Sequence, residues 1–193
     1  MERIYEMDGT EIRLEICPGV YEPSDDTFLL ARSSEPVGRC LEIGSGSGFI
    51  SIYLALNGIE ISCTDINQKA VECIRGNMVI NGVSFPCVRS DLFSNVSGIF
   101  DTIIFNPPYL PTDDRIEGSE QWDGGQDGFA VIRKFLRGSE KYLSPNGRIF
   151  TILSSLTDIE SLISEFPQFS FIMVAERNFF FESIFAYSLT RRI

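Results

Sequence analysis

Residues 41–50, Leu-Glu-Ile-Gly-Ser-Gly-Ser-Gly-Phe-Ile, decide how this chain folds. They run from an apolar strand that contains one carboxylate, Glu42, through three alternating glycines into the start of an apolar helical stretch. Glycine adopts the positive φ values that a tight turn requires, and without a side chain it lets a ligand come close to the backbone. The stretch therefore predicts a parallel strand, a turn and a helix, with a nucleotide-type cofactor at Gly44, Gly46 and Gly48.

The residues around this turn narrow the class of cofactor. A dinucleotide fingerprint needs glycine or alanine at position 49, where this chain has Phe49. A phosphate-binding loop needs a lysine after its last glycine, and none follows Gly48. Asp65 stands at the end of the next predicted strand, where a carboxylate can accept both ribose hydroxyls of a nucleoside. The turn thus disfavours NAD and ATP, and a purely structural turn is the alternative to a cofactor site.

Length and composition set the class of protein. The chain has 193 residues, which predicts a single domain over residues 1–193. Its net charge of −11 opposes a polyanionic partner, because nucleic-acid binding depends on Lys and Arg neutralising phosphates. No membrane span or signal peptide is readable, so we expect a cytoplasmic protein. The chain contains no histidine, which removes the commonest general base and the commonest metal ligand, and no metal site is expected.

The cysteines predict neither disulfides nor zinc. There are five of them, an odd number, and none has the C-x-x-C spacing of a zinc knuckle. Because this pattern also argues against a disulfide framework, we expect all of them to be small core residues. They are Cys17, Cys40, Cys63, Cys73 and Cys87.

The rest of the chain predicts alternating strands and helices. Asp8-Gly9 is a two-residue turn between alternating segments, so we expect a small N-terminal β-hairpin. Hydrophobic periodicity and capping residues predict the other elements. Helices are expected after Ser24, after the glycine turn to about residue 57, over 67–81, 129–142 and 157–166. Strands are expected near 59–64, 86–89, 100–105 and 148–153, with a turn at 144–147 and a closing antiparallel hairpin of 169–175 and 184–189.

Side chains at the ends of the second and third predicted strands are candidate contacts of a nucleoside. Asp65 is expected to bind the ribose and Ile66 to pack on the adenine face. Asp91 could accept a hydrogen bond from the adenine amino group, and Leu92 could cover the ring. These positions follow from the βαβαβ order of the elements, since the carboxyl ends of parallel strands meet at one edge.

Two segments are expected to cover this edge. The segment before the first predicted helix would lie across the cofactor, with Tyr21 and Thr27 touching it, although a capped helix start at Ser24 is the simpler alternative. Residues 110–128 are acidic, aperiodic and contain Trp122 with several glycines, so they predict a lid or a substrate loop, with a solvated loop as the alternative.

The fourth predicted strand ends in Asn106-Pro107-Pro108-Tyr109. The two prolines remove backbone donors and stiffen the loop, which leaves carbonyl oxygens as acceptors. The Asn106 amide oxygen and the Pro107 carbonyl can together hold the two hydrogens of a planar NH2 group, and Tyr109 offers a ring face to stack on it. The tetrapeptide therefore predicts a catalytic site for a planar amino or amide group.

These motifs together resemble the HemK-type glutamine methyltransferases, in particular the short archaeal and eukaryotic branch that modifies class I translation release factors. The matching pieces are Tyr21 to Leu30, Leu41 to Gly48, Cys63 to Asn67, Ser90 to Leu92, Phe105 to Tyr109, and Trp122 with Gly124, Gly125 and Gly128. The Asn-Pro-Pro-Tyr tetrapeptide is shared with adenine-N6 methyltransferases, so it specifies an NH2 target rather than a glutamine. The N-terminal helical domain of the bacterial enzymes has no counterpart here.

The resemblance implies a fold, a cofactor and a reaction. The fold is the α/β, Rossmann-like class I methyltransferase fold: a seven-stranded sheet in the order 3-2-1-4-5-7-6 with strand 7 antiparallel. The cofactor is S-adenosylmethionine, and the methyl acceptor is the glutamine N5 of the Gly-Gly-Gln motif of a release factor. An adenine-N6 nucleic-acid methyltransferase and a non-catalytic cofactor-binding scaffold are the alternatives. By resemblance the cofactor ligands include Thr27, Glu42, Gly44, Asp65, Asp91, Leu92 and Asn106.

The resemblance also implies a partner, because that branch is activated by a small zinc-binding protein that docks on the edge of the third strand. Here that edge lies near residues 86–89, beside a helix that carries Met78, Val79 and Ile80. An uncovered strand edge beside apolar residues is a template for a strand of another chain. The aromatic run 179–181 is a rival docking patch.

Overall fold

The computed structural model describes residues 1–109 and 128–192. The helices are α1 (Asp25–Ser33), α2 (Phe49–Leu56), α3 (Gln68–Asn81), α4 (Ala130–Ser139) and α5 (Ile159–Glu165). The strands are β1 (Glu2–Met7), β2 (Thr10–Glu15), β3 (Cys40–Ile43), β4 (Ile61–Asp65), β5 (Cys87–Arg89), β6 (Phe100–Phe105), β7 (Leu143–Ser154), β8 (Phe169–Asn178) and β9 (Ser183–Arg191).

The main sheet has seven strands in the order β5-β4-β3-β6-β7-β9-β8. Strands β5, β4, β3, β6 and β7 are parallel, whereas β9 runs antiparallel to both of its neighbours. Counting from β3, this is the predicted order 3-2-1-4-5-7-6 with strand 7 antiparallel, and the α/β class I methyltransferase fold is confirmed. Strand β3, which leads into the glycine turn, lies at the centre with all four residues buried.

The two faces of the sheet carry separate cores. One face packs against α4 and α5 through Ile103, Phe105 and Phe135. The other packs against α1, α2 and the N-terminal hairpin through Ile104, Phe150 and other buried residues. Neighbouring residues of β6 point to opposite faces, as the two-residue period of a strand requires. Because both faces are covered, the central strands read as continuous apolar runs in the sequence.

The N-terminal hairpin forms as predicted and is fastened to α3. Asp8 and Gly9 both have positive φ angles, +49° and +80°, which a two-residue hairpin turn of this kind needs. The Glu15 amide donates to the Asn77 side chain at 2.7 Å, and the Arg13 amide donates to the Asn81 side chain at 2.9 Å. These contacts bring the end of β2, and the segment that follows it, to the side of α3.

The expectation that all five cysteines are free core residues is wrong for two of them. Cys17 and Cys73 form a disulfide across 56 residues of sequence, with Cα atoms 6.1 Å apart. The fold brings them together because α3 packs beside the end of the hairpin, a contact that sequence spacing does not reveal. Cys40, Cys63 and Cys87 are buried and free, as expected.

The turn expected at residues 144–147 lies inside β7 rather than before it. Phe100 pairs with Leu143 and Thr102 pairs with Arg148, so β7 advances five residues while β6 advances two. Residues 144–147 therefore stand opposite Asp101 alone, so that β7 has three more residues than β6 here, and they form an irregularity at the start of the strand. Over the described ranges, no helix has the length and apolar character needed to span a membrane, and no cluster of three potential metal-ligating side chains occurs.

Candidate active site

The candidate site lies where the central parallel strands end. Ile43 pairs with Thr64 on one side and with Phe105 on the other, so the residues that follow these three leave the sheet together. Adjacent strands are about 4.8 Å apart. The register therefore brings Gly44, Asp65 and Asn106 to one edge of the sheet, where open parallel sheets bind their ligands.

The glycine turn has the backbone that the sequence predicts. Gly44, Gly46 and Gly48 have φ angles of +64°, +54° and +87°, all in the region that side chains resist. A Cβ on Gly44 would come within 3.3 Å of the Phe105 ring, and one on Gly46 within 3.3 Å of the Tyr21 side chain. A Cβ on Gly48 would meet Ile74 of α3 at 3.0 Å, so the third glycine is required for helix packing. A direct contact of Gly48 with a cofactor stays a prediction.

A small enclosed cavity opens above this turn. It joins five predicted site residues with others that the sequence analysis did not single out. The predicted residues are Tyr21, Thr27, Glu42, Gly44 and Asn106. The additional ones are Pro23, Ser45, Ser47, Phe49 and Ile50. Ser45 and Ser47 alternate with the glycines, a position that would have identified them as part of the lining.

Glu42 lies buried beneath this cavity. One of its carboxylate oxygens accepts hydrogen bonds from the Ser51 amide, at 3.0 Å, and from the Ser51 hydroxyl. Removal from water raises the pKa of Glu42 to about 8, although the bonds from Ser51 act in the opposite direction. The carboxyl is therefore poised to be neutral in the free protein near neutral pH, and to ionise if a cation binds beside it.

Asp65 is held by the turn at the end of β4. Its carboxylate accepts from the Gly46 amide and the Asn67 amide, both at 2.8 Å, one on each oxygen. Burial raises the pKa of Asp65, and these backbone bonds partly offset that effect. A carboxylate oxygen has two acceptor positions, so each oxygen of Asp65 retains one for a hydroxyl group.

The flanking residues predicted to cover an adenine ring lie beside Asp65. Ile66 is 59% exposed although it is apolar, as expected of a surface that a ligand covers. Asp91 is exposed, and Leu92 is half-buried with a positive φ of +47°, which is uncommon for a leucine. None of these three lines the enclosed cavity. Their roles in binding a nucleoside stay predictions.

The Asn106 side chain is the most informative polar group of the site. Its Oδ1 atom is buried and has no hydrogen-bond partner among the described residues. Buried polar atoms are nearly always paired, so an unpaired acceptor beside a cavity indicates a missing donor. Pro107, which is buried, cannot supply an amide hydrogen, and Asn106 therefore keeps its acceptor free.

Asp26, which the sequence analysis did not identify, connects two parts of the site by hydrogen bonds. Its carboxylate accepts from the Tyr21 hydroxyl at 2.9 and 2.8 Å, from the Ser24 hydroxyl at 2.7 Å and from the Tyr109 hydroxyl at 3.2 Å. The segment before α1 is thereby joined to the end of the Asn-Pro-Pro-Tyr tetrapeptide. Burial, with the nearby charge of Asp26, raises the pKa of both tyrosines, so they remain neutral donors.

A second, larger cleft of about 420 Å³ opens on the other side of this carboxylate. It is lined by the start of α1, by Tyr109 and by the beginning of β9. Tyr109 lines this cleft and Asn106 lines the smaller cavity, and the two residues belong to the same short loop. The site thus has two compartments that meet at the tetrapeptide.

This arrangement suits a nucleoside carrying a cation. The three glycines of the turn all have positive φ angles, Asp65 has acceptor positions left for ribose hydroxyls, and the Glu42 carboxyl can ionise opposite a positive charge. Among the described residues, nothing donates a hydrogen bond to the buried Oδ1 atom of Asn106. The predicted lid, residues 110–127 with Trp122, lies outside the described residues.

Comparison with known proteins yields one matching family. The methyltransferase small domain family matches residues 24–181. A putative protein N5-glutamine methyltransferase of Methanocaldococcus jannaschii is 39% identical over 175 residues, which is 87% of this chain and 88% of that protein. Human methyltransferase HEMK2 is 35% identical over 165 residues, covering 75% of this chain and 76% of that protein.

Among solved structures, the Mtq2-Trm112 complex of E. cuniculi contains a chain with a similar fold. The TM-score is 0.71 at 23% sequence identity, and the match covers 90% of this chain and 99% of that one. That complex is described as responsible for methylating the eRF1 translation termination factor. At this level of identity the likeness concerns the fold.

Proposed function

Because the chain belongs to the methyltransferase small domain family, as an S-adenosylmethionine-dependent enzyme of the HemK type, we propose that it methylates a glutamine side chain in a class I release factor. The target is the N5 atom of the glutamine in the Gly-Gly-Gln motif. Two relatives, at 39% and 35% identity, are named as a putative protein N5-glutamine methyltransferase and as methyltransferase HEMK2, and the chain covers most of the length of both.

The observation that carries the proposal is the buried, unpaired Oδ1 atom of Asn106. In the proposed complex this atom accepts one hydrogen of the substrate amide, and the Pro107 carbonyl accepts the other. A planar NH2 group is fixed by two such acceptors in one plane, and the ring of Tyr109 stacks on its face. The Tyr109 hydroxyl is already anchored on Asp26, so the ring is held in place before the substrate arrives.

The cofactor residues have matching roles in this proposal. Asp65 accepts the ribose hydroxyls, Ile66 and Leu92 sandwich the adenine, and Asp91 accepts from its amino group. Tyr21, Thr27, Glu42 and the glycine turn surround the remainder of the cofactor. When bound, S-adenosylmethionine supplies a methyl group on a positively charged sulfur, a carbon already activated for displacement.

The chain's own contribution to the reaction is alignment. Asn106, Pro107 and Tyr109 would orient the amide nitrogen toward the methyl group of the cofactor, and orientation of this kind can supply on the order of 7 to 11 kcal/mol. The two acceptor oxygens stabilise positive charge as it develops on the nitrogen. The proton leaves late in such a reaction, so a strong base is not required and the absence of histidine is understandable.

We further propose that a small activator protein covers the free edge at β5, as in the family branch. Strand β5 has only three residues and Val88 is 42% exposed. Val79 on α3 is 80% exposed, and Ile80 beside it is also exposed. Met78 differs from the sequence expectation, because it is buried in the core between α3 and the sheet and is not part of this surface.

A methyl-transfer assay tests the proposed substrate. The enzyme, with and without an activator protein, is given labelled S-adenosylmethionine and either a release factor, its Gly-Gly-Gln glutamine-to-alanine form, or duplex DNA and RNA. We expect incorporation only into the unaltered release factor. Label in nucleic acid would favour the amino group of a base as the target, and label in no substrate would favour a binding scaffold.

A further inference from the structure

The turn between β8 and β9 exposes aromatic side chains beside the candidate site. The turn is closed by a hydrogen bond from the Phe179 amide to the Glu182 carbonyl at 2.7 Å. At its tip the side chains of Phe180 and Phe181 are 90% and 86% exposed, with ring centroids 4.5 Å apart in an edge-to-face pair. Contiguous exposed apolar groups of this size usually mark an interaction surface.

This aromatic turn, residues 179–181, borders the larger cleft of the candidate site. The cleft is lined by Phe179, Glu182 and Ile184 on one side and by the start of α1 and Tyr109 on the other. Because Tyr109 belongs to the predicted catalytic loop, the exposed rings are continuous with the place where the acceptor amide is expected. Of the three aromatic residues, Phe179 lines the cleft itself, and Phe180 and Phe181 follow it directly in the chain.

The charges in the cleft are predominantly negative. Asp25, Asp26 and Glu182 contribute carboxylates to its lining. Arg177 pairs with Asp25 at 3.0 Å and lies over the Phe179 ring at 5.6 Å, so it neutralises that one carboxylate. Glu182 accepts from the Ser154 hydroxyl at 2.7 Å through its Oε1 atom. The field at the cleft therefore favours a cation.

We propose that the aromatic turn and this cleft bind the segment of the substrate protein next to the methylated glutamine, and that this segment carries a lysine or arginine beside an apolar residue. The inference rests on the proposed function. The aliphatic stem and the cationic head of such a side chain suit aromatic faces, and the head is then held by the Glu182 carboxylate. An acidic lining opposes phosphate groups, which argues against nucleic acid in the cleft.

Binding of the release factor measures the aromatic contribution. The release factor is used in its glutamine-to-alanine form, so that the measured affinity does not depend on turnover. Any required activator is present. Phe180→Ser combined with Phe181→Ser is compared with Ile99→Ser, which removes an exposed apolar side chain just before β6, away from the site. We expect the double variant to weaken binding about tenfold or more, and the control to have no effect. Affinity for S-adenosylmethionine should be the same in all three proteins.

A second variant measures what the Glu182 carboxylate contributes to binding of the release factor. Glu182→Gln keeps the size of the side chain and an oxygen that can accept from Ser154. We expect it to weaken binding of the release factor, and to make that binding less dependent on salt concentration than binding to the wild-type protein. Replacing the basic residues next to the glutamine by serine should weaken binding to the wild-type protein and have little further effect on Glu182→Gln.

The possible outcomes separate this inference from the proposed function. The proposed docking surface would be wrong if the Phe180/Phe181 double variant bound the release factor as tightly as wild type. It would also be wrong if the double variant changed only the binding of the activator or the self-association of the enzyme. If the wild-type protein binds the release factor through this surface but does not methylate its glutamine, the proposed function fails and the docking surface stands. A wild-type protein without affinity for the release factor would contradict the docking surface.

Discussion

At the scale of single residues, Asn106 is the residue to which the proposed chemistry is assigned. Within the described residues, its buried Oδ1 atom accepts no hydrogen bond. Asn106→Ala should therefore leave the free energy of unfolding and the cofactor affinity nearly unchanged. We expect methyl transfer to fall roughly 100- to 1000-fold, the effect of losing one preorganised polar contact to a transition state. Single-turnover kinetics beside calorimetric titration of the cofactor check both, and a variant as fast as wild type would remove Asn106 from the mechanism.

Asp65 is expected to bind the cofactor through its ribose hydroxyls. Asp65→Ala should weaken S-adenosylmethionine binding by roughly 1.5 to 3 kcal/mol, the effect of losing a charged hydrogen-bond acceptor. Calorimetry measures it, with Asp91→Ala as the companion because Asp91 is exposed and predicted to contribute less. Since Asp65 also accepts from two backbone amides, thermal unfolding of the variant must be recorded. Equal affinity in wild type and Asp65→Ala would refute the ribose assignment.

Glu42 predicts a dependence of stability on pH. Its pKa is about 8 in the folded protein and 4.5 without the protein environment, so between these values only the folded state keeps the proton. Rising pH then favours the unfolded state, and the contribution of Glu42 to stability is lost by about pH 8. Urea unfolding of the cofactor-free protein at a series of pH values should show this fall. In the isosteric Glu42→Gln variant, the free energy of unfolding should change less with pH. If it changed with pH in the same way in both proteins, Glu42 would not be a buried neutral carboxyl.

At the scale of the elements, the glycine turn and the N-terminal hairpin were predictable because their signals are local, whereas the strand order 3-2-1-4-5-7-6 came from the resemblance to a known family. Residues 41–50 contain both the apolar strand and the glycines that end it, and the hairpin at Asp8-Gly9 follows from two adjacent residues. The bond between Tyr109 and Asp26 was not predictable, since it joins positions 83 residues apart. The Cys17–Cys73 disulfide was missed for the same reason, because counting cysteines says nothing about which helices pack together.

The exposed edge at β5 supports a prediction about assembly. Val88→Glu places a charge on the strand that the activator protein would cover, and it should abolish co-purification of the two proteins. Cofactor affinity should not change, because Val88 is not one of the residues predicted to contact the cofactor. Val37→Glu is the matched control, since Val37 is also exposed but precedes β3 at the opposite end of the strands. A Val88→Glu protein that still binds the activator would place the interface elsewhere.

At the scale of the whole molecule, charge separates the proposed function from its main alternative. A net charge of −11 and carboxylates in the larger cleft oppose a phosphate backbone, although the Asn-Pro-Pro-Tyr tetrapeptide alone suits an adenine amino group as well as an amide. The fold does not distinguish the two functions either, because one fold can serve enzymes with many different methyl acceptors. The substrate must therefore be inferred from the site and its surroundings rather than from the fold.

The most direct measurement is fragmentation mass spectrometry of a release factor after reaction with this enzyme and S-adenosylmethionine. The account predicts a single added methyl group, located on the side-chain nitrogen of the glutamine in Gly-Gly-Gln, and at most a trace of it after the same reaction time when Asn106→Ala replaces the wild-type enzyme. A methyl group on any other residue, or on the adenines of nucleic acid while the glutamine remains unmodified, would contradict the account.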